Sequence, residues 1–336
     1  GNWTYSSGTV TAGTSELHLN GNMTINDGTT QFYKITNYTT TTLTLSSDLY
    51  VTNDLDLMAS NANKTYTGNK IYASGNVKTT AVATTAYVTG TTELVFTGGS
   101  AQTFAWTPSS GALMLSVTVS KSGNTLTMPS NVIYNTGTWT QTSGASTIDW
   151  TTNTSLFKTT ANCNLNMGTA VLYDLQVSTA GSATMTGNLI LSRHLIIDVS
   201  RGFVCGSNIL TVGGNFTKNG TFTAGTGTVV FNGTTTIAGA TTFYKVTINA
   251  GKTVHLTSGQ TFVVSNAFTA EGAAGNGITL DATTGGSRAT LTLNGTISAK
   301  YITATDIDSS AGGAVHNGHG TNSNTVNWDT FDYVTT

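Results

Sequence analysis

Phe243-Tyr244-Lys245-Val246-Thr247, within residues 241–249, repeats Phe32-Tyr33-Lys34-Ile35-Thr36, within residues 30–37, almost residue for residue. The likeness continues beyond each copy. After Tyr33, apolar residues stand at Leu43, Leu45, Leu49, Val51, Leu55 and Leu57; at the same distances from Tyr173 stand Ala183, Met185, Leu189, Leu191, Leu195 and Ile197. From Tyr244 the distances reach Val254, Leu256, Gln260, Phe262, Asn266 and Phe268, so apolar character is lost only at Gln260 and Asn266.

Each matched cluster is a pair of apolar residues two apart, followed by a turn-forming stretch. Alternation of period two gives a strand with one face in a core and the other in water. Strands this short cannot bury an apolar face alone and become stable by stacking on copies of themselves. The chain therefore predicts an all-β fold, an elongated parallel β-solenoid (β-helix) of degenerate repeats. A row of antiparallel β-sandwich domains is the competing architecture, because short strands at intervals of about 8–12 residues are also their mark. Thr and Val stand where helix formers at a 3.6-residue period are missing, and only residues 267–274 read as a helical turn.

Residues 1–300 form one solenoid body of about four degenerate units, opening at Asn2-Trp3-Thr4, Ala86-Tyr87-Val88, Thr138-Trp139-Thr140 and Asn215-Phe216-Thr217. Residues 301–336 depart from the repeat. There, 301–308 reads as one alternating strand, 309–323 as a loop rich in Gly and Asn, and 325–336 as an aromatic terminal strand, together a cap or an exchangeable edge.

Only 8% of the residues are charged, against roughly 25% in an average soluble protein. Apolar content of 38% and aromatic content of 9% supply a core and argue against disorder. With a net charge of −2 and its 13 Lys and Arg scattered singly, the chain has no basic stripe for nucleic acid. No apolar stretch approaches the roughly 20 residues of a membrane span. A start at Gly1 suits a processed secreted product.

Candidate chemistry begins with paired acids. Asp54 with Asp56, and Asp306 with Asp308, are two apart, so each pair points one way, as glycosidase carboxylates must. Neither pair has Lys or Arg close by in sequence, and both read as solvated acids on the outer face. Of the five histidines, His316 and His319 have a spacing open to a metal but lack a third ligand. No phosphate-cradling loop, nucleophile elbow or cofactor motif is found, so catalytic, cofactor and metal residues are all read as none. Cys163 and Cys205 read as buried thiols, or as a disulfide between stacked coils. Acceptor patterns for N-linked glycans occur at Asn2, Asn22, Asn37, Asn63, Asn153, Asn215, Asn219, Asn232 and Asn294. Trp3 and Tyr5 near one terminus, and Trp328, Phe331 and Tyr333 near the other, are the expected subunit contacts.

The stretch 225–233, followed by 241–249 and by the closing strand, loop and Asn327-Trp328, resembles repeat-rich surface proteins of bacteria and archaea, the secreted parallel β-helices that include adhesins and stalks. The resemblance implies an extracellular location and a fold rather than a reaction. Three functions follow as expectations. The first is a non-enzymatic structural protein that self-associates into a filament or stalk. The second is a carbohydrate-binding adhesin using Trp106, Trp139 or Tyr134 against surface glycans, and the third a polysaccharide lyase or hydrolase. Expected partners are the chain itself and glycans, with neither nucleic acid nor a membrane span.

Overall fold

The structure, a computed structural model, describes residues 1–81, 85–108, 113–134, 137–142, 148–159, 161–178 and 181–331. Among them there is no helix, and the strands pair in parallel as a β-solenoid of about 14 turns. Parallel neighbours require each strand to be followed by a full circuit of the chain, which excludes the antiparallel sandwich. The chain divides into two compact units, Gly1–Tyr173 and Asp174–Thr336.

In the first unit one ladder runs through Trp3–Thr4, Met23–Asn26, Thr42–Leu45, Lys64–Gly68 and Val88–Gly90. Its inward positions, among them Ile25, Leu43, Leu45, Tyr66 and Val88, are buried. The second unit repeats the arrangement through Leu195–Ile197, Phe216–Lys218, Thr234–Ala238, Thr253–Leu256, Ile278–Ala282, Ile302–Thr305 and Thr321–Ser323. On the outer side of that ladder Thr234, Thr253, Thr279, Thr303 and Thr321 stand in register. The inner side is hydrocarbon, with Phe216, Phe231 and Phe243 in edge-to-face contact. Leu189, Leu191, Val254 and Leu256 are buried as their alternation requires, while Asn188, Thr44 and His255 stay on the solvent side. Burying each such aliphatic side chain contributes roughly 1.5–3 kcal/mol.

The repeated Phe-Tyr-Lys marks a corner. Phe32 lies opposite Val51 and Lys34 opposite Asp54, so Tyr33 alone faces two residues, Thr52 and Asn53. Phe243 lies opposite Val264 and Lys245 opposite Ala267, so Tyr244 faces Ser265 and Asn266. The hydroxyls of Thr52 and Ser265 donate to the carbonyls of Phe32 and Phe243, at 3.3 and 3.2 Å. The register also accounts for Gln260 and Asn266. The turn after Leu256 is two residues longer than the one after Leu45, so Leu49, Val51, Leu55 and Leu57 correspond to Phe262, Val264, Phe268 and Ala270, all buried.

Three expectations need correcting. Residues 267–271 belong to the strand Thr261–Glu271, paired with both Thr241–Ile248 and Thr296–Lys300, and 272–277 form a tight turn rather than a helical one. The alternating stretch 301–308 is broken at Asp306, whose φ of 59° turns the chain between Ile302–Thr305 and Ile307–Asp308. The expected loop at 309–323 contains two strands, Val315–Gly318 and Thr321–Ser323, because pairing with the preceding coil supplies the hydrogen bonds that its composition does not promise. Two lysines lie inside. Lys64 donates to the Tyr38 carbonyl and the Ser60 hydroxyl, both at 2.9 Å, and Lys121 to the Ser100 carbonyl and Gln102 Oε1 at 2.8 and 2.6 Å. Burial pushes both ammonium groups below their ordinary pKa.

Candidate functional site

The most charged patch in the first unit is the outer side of four successive strands, Glu16–Leu19, Gln31–Asn37, Leu49–Met58 and Asn76–Thr79. Register places Glu16, Lys34 and Asp54 in one column, and His18, Thr36, Asp56 and Lys78 in the next. Lys34 Nζ lies 3.0 Å from Glu16 Oε2, His18 Nε2 lies 3.3 Å from Glu16 Oε1, and Lys78 Nζ lies 3.5 Å from Asp54 Oδ2. Hydrogen bonds from Thr36 and then Lys34 hold the Glu16 carboxyl at about 2.

This corrects the reading of both Asp54 and Asp56 as solvated acids: Asp54 stays partly exposed but is paired, and Asp56 is buried. Lys78 reaches Asp54 from the next coil and Lys34 stands opposite it in the preceding one, at sequence separations that no local motif reveals. Asp56 is 2% exposed, because its Oδ1 accepts the N–H groups of Met58 and Thr80, at 3.0 and 3.3 Å, and its Oδ2 accepts the Thr80 hydroxyl at 2.5 Å. Its oxygens are spent on fixing a turn. The ion pairs Lys70–Glu93 at 2.9 Å and Lys300–Glu271 at 3.1 Å likewise join one coil to the next.

Asp306 and Asp308 are not a pair either. Buried Asp306 accepts the Gly286 N–H at 2.9 Å and the Asn324 amide, while Asp308 accepts the Ser310 N–H at 2.8 Å. These bonds hold both carboxyls below their ordinary range. His316 Nδ1 lies 2.7 Å from Asp329 Oδ2, whereas the His319 ring stacks on Tyr301 with centroids 4.8 Å apart, so the two histidines engage different partners. Cys163 and Cys205 are free and buried, and burial pushes their thiols up to about 12 and about 11.

The aromatics divide differently from expectation. Trp106 and Trp139 are core residues at 9% and 0% exposure, and the side chain of Tyr134 lies outside the described residues. Alternation sends Trp106 and Trp139 inward, so these two offer no ring to a sugar. Tyr50 and Tyr72 pair on the outer side, with ring centroids 5.0 Å apart and planes 8° from parallel. Near the termini, Trp3 packs edge-to-face on Phe32 at 5.4 Å, and Tyr5 donates its hydroxyl to the Gly8 carbonyl at 2.5 Å. Trp328 Nε1 donates to Ser309 Oγ at 2.9 Å, Phe331 is 72% exposed, and Tyr333 lies outside the described residues.

The glycan-acceptor pattern has a structural origin. In Asn2-Trp3-Thr4, Asn22-Met23-Thr24, Asn63-Lys64-Thr65 and Asn215-Phe216-Thr217 the asparagine precedes a strand, the middle residue opens it on the inner side, and the threonine faces outward. The Oδ1 of each asparagine accepts a backbone N–H from the following coil: Thr24 on Asn2 at 2.9 Å, Thr41 and Thr42 on Asn22 at 3.1 and 2.9 Å, Tyr87 on Asn63 at 3.0 Å, and Thr236 on Asn215 at 3.0 Å. Asn76, Asn188, Asp48 and Asp174 do the same for Thr103, Ile209, Lys70 and His194. Asn153 donates Nδ2 to the Met128 carbonyl at 2.8 Å, and Asn232 accepts from Asn249. Asn219 and Asn294 are exposed. Asn37 is 1% exposed and donates Nδ2 to the Tyr66 hydroxyl at 2.9 Å, which leaves that nitrogen no access to a transferase.

Fold and site thus define a parallel β-solenoid whose outward polar side chains largely serve to bind one coil to the next. Set against family models, curated proteins and solved structures, the chain matches none of them.

Proposed function

We propose that this chain is a non-enzymatic, extracellular structural protein, a β-solenoid that self-associates into a surface filament or forms the stalk of an appendage. The observation that carries the reading is the use made of its few charges. Glu16–Lys34, Asp54–Lys78, Lys70–Glu93 and Glu271–Lys300 each bridge neighbouring coils, so the acids and bases work as clamps between turns. Charge is sparse over the rest of the outside, one ladder of which carries a column of threonine, so there is little of the like-charge repulsion that keeps β-proteins apart. The packing of Trp3, Tyr5 and Trp328 on their own coils supports termini that cap rather than exchange.

Negative-stain micrographs and sedimentation velocity over a rising concentration series test the reading. Filaments or growing oligomers are expected, together with no release of reducing or unsaturated sugars from a polysaccharide panel. A chain that stays monomeric throughout and cleaves a polysaccharide, with cleavage lost in Asp54→Asn or in Asp306→Asn/Asp308→Asn, overturns it. Protease shaving of intact source cells tests the location, and an inaccessible protein refutes the extracellular assignment.

A further inference from the structure

Tyr50 and Tyr72 belong to a mixed patch that the clamping role does not absorb. Tyr50 lies opposite Gln31 on one side and Tyr72 on the other, and Tyr72 lies opposite Val95. Each half-buried ring has one face against its partner, and beyond the pair the ladder continues to Gln31 on one side and Val95 on the other. Charged groups from consecutive coils converge beside them. Asp48 accepts the Lys70 N–H at 3.1 Å, and Lys70 Nζ, on a side chain 47% exposed, lies 2.9 Å from Glu93 Oε2.

Beneath Tyr50 is Asp27, wholly buried, with Oδ1 accepting the Ser47 hydroxyl at 2.5 Å and Oδ2 buried with no hydrogen-bond partner. Burial, then the charge of nearby Asp48, pushes the Asp27 carboxyl above its ordinary pKa. Tyr50 responds in turn to Asp48, Tyr72 and Asp27, and Lys70 to Glu93, Tyr72 and Asp48, so the six groups form one electrostatic neighbourhood. An unsatisfied buried carboxyl oxygen is a costly feature for a surface that only separates the core from water.

We infer that Tyr50, Tyr72, Asp48, Lys70 and Glu93 form a binding site for an uncharged glycan, with Asp27 beneath them. A tyrosine face packs against the C–H face of a sugar ring, as amphipathic rings do at recognition surfaces. Sugar hydroxyls are donors, and the carboxyls of Asp48 and Glu93 supply acceptors for them while Lys70 donates to a ring or hydroxyl oxygen. Two surface acids, Asp48 and Glu93, against one base also fix the class of ligand, because uronic acids and sulfated sugars are repelled. The inference does not depend on self-association, and the wild type and its variants are expected to assemble alike.

Isothermal titration of the full chain with neutral gluco-, manno- and galacto-oligosaccharides tests it, with oligogalacturonate as the acidic counterpart. At least one neutral series is expected to bind, and oligogalacturonate at least about tenfold more weakly. Tyr50→Ala and Tyr72→Ala should each weaken binding about tenfold or more, while Tyr72→Phe, which keeps the ring, and Tyr38→Ala, which removes an exposed aromatic elsewhere, should leave it within about twofold. Melting curves identify any alanine variant that loses the fold; for these, Lys70→Ala and Glu93→Gln take their place and should weaken binding about threefold or more. Absence of binding to every neutral series overturns the inference. So does unchanged affinity in folded variants, or equal binding of oligogalacturonate.

Discussion

Asn22 accepts the N–H groups of Thr41 and Thr42 through a single carboxamide oxygen. Removing that acceptor leaves two donors at a strand start, so Asn22→Ala should cost about 1–2 kcal/mol in chemical denaturation. Exposed Asn294 is the control, and Asn294→Ala should stay within about 0.5 kcal/mol. In a glycosylating secretory host, peptide mass mapping should find Asn37 unmodified, since a sugar there requires opening the core around Tyr66. Glu16 gives a pH test. Its carboxyl sits at about 2 when folded against an ordinary 4.5, so its stabilisation is whole above 4.5 and is lost as pH falls towards 2. Because the pair is partly solvated, Glu16→Gln should lower stability at neutral pH by no more than about 1 kcal/mol, and the two unfolding curves should converge in acid.

At the scale of the strand and its corner, glycines mark where coils touch. A Cβ on Gly75 would sit 1.5 Å from the Asn53 carbonyl oxygen, and one on Gly295 1.7 Å from that of Asn266, so each copy of the Phe-Tyr-Lys corner has a glycine two coils on. Gly75→Ala and Gly295→Ala should each destabilise by about 2 kcal/mol or more, whereas Gly285→Ala, with open space around it, should be neutral or stabilise by about 0.4–1 kcal/mol. Leu191→Ala should cost about 2–5 kcal/mol as a cavity in packed hydrocarbon. Local elements were legible because alternation and the Phe-Tyr-Lys repeat are local signals: the pairs Leu43/Leu45 and Val254/Leu256 fall in the strands Thr42–Leu45 and Thr253–Leu256. Partnerships across coils were not legible. Lys78 reaches Asp54, and Lys34 stands opposite it, only because of how many residues each turn holds, and these differ, with Thr228 opposite Lys245 but Thr261 opposite Thr290. Residues 309–323 read as a loop for the same reason, since their strands are specified by the coil beneath them.

Each coil of either unit touches mainly its neighbours, so damage should stay local. Leu191→Ala is expected to lower amide protection in the adjoining strands, Ile209–Val212 among them, while the ladder through Ile278–Ala282 keeps its own; uniform loss throughout the unit would show a single cooperative block instead. Deleting residues 327–336 removes the Trp328 bond to Ser309 and the pairing of Trp328–Asp329 with Val315 and His316. The truncated chain should melt several degrees lower yet still assemble; an unchanged melting temperature with assembly abolished would make the tail a joint between subunits.

The asparagine bridges have a direction. At Asn2, Asn22, Asn63, Asn76, Asn188 and Asn215 the acceptor belongs to the earlier coil and the donor to the later one. A chain delivered amino-terminus first, from a ribosome or through a secretion pore, therefore finds each acceptor already in place when its donor arrives. A turn finished in this way becomes a template for the next, and at these six places the growing end offers an open sheet edge with a carboxamide waiting beside it. Construction in this order is a ratchet, in which each added turn makes retreat into the pore more costly.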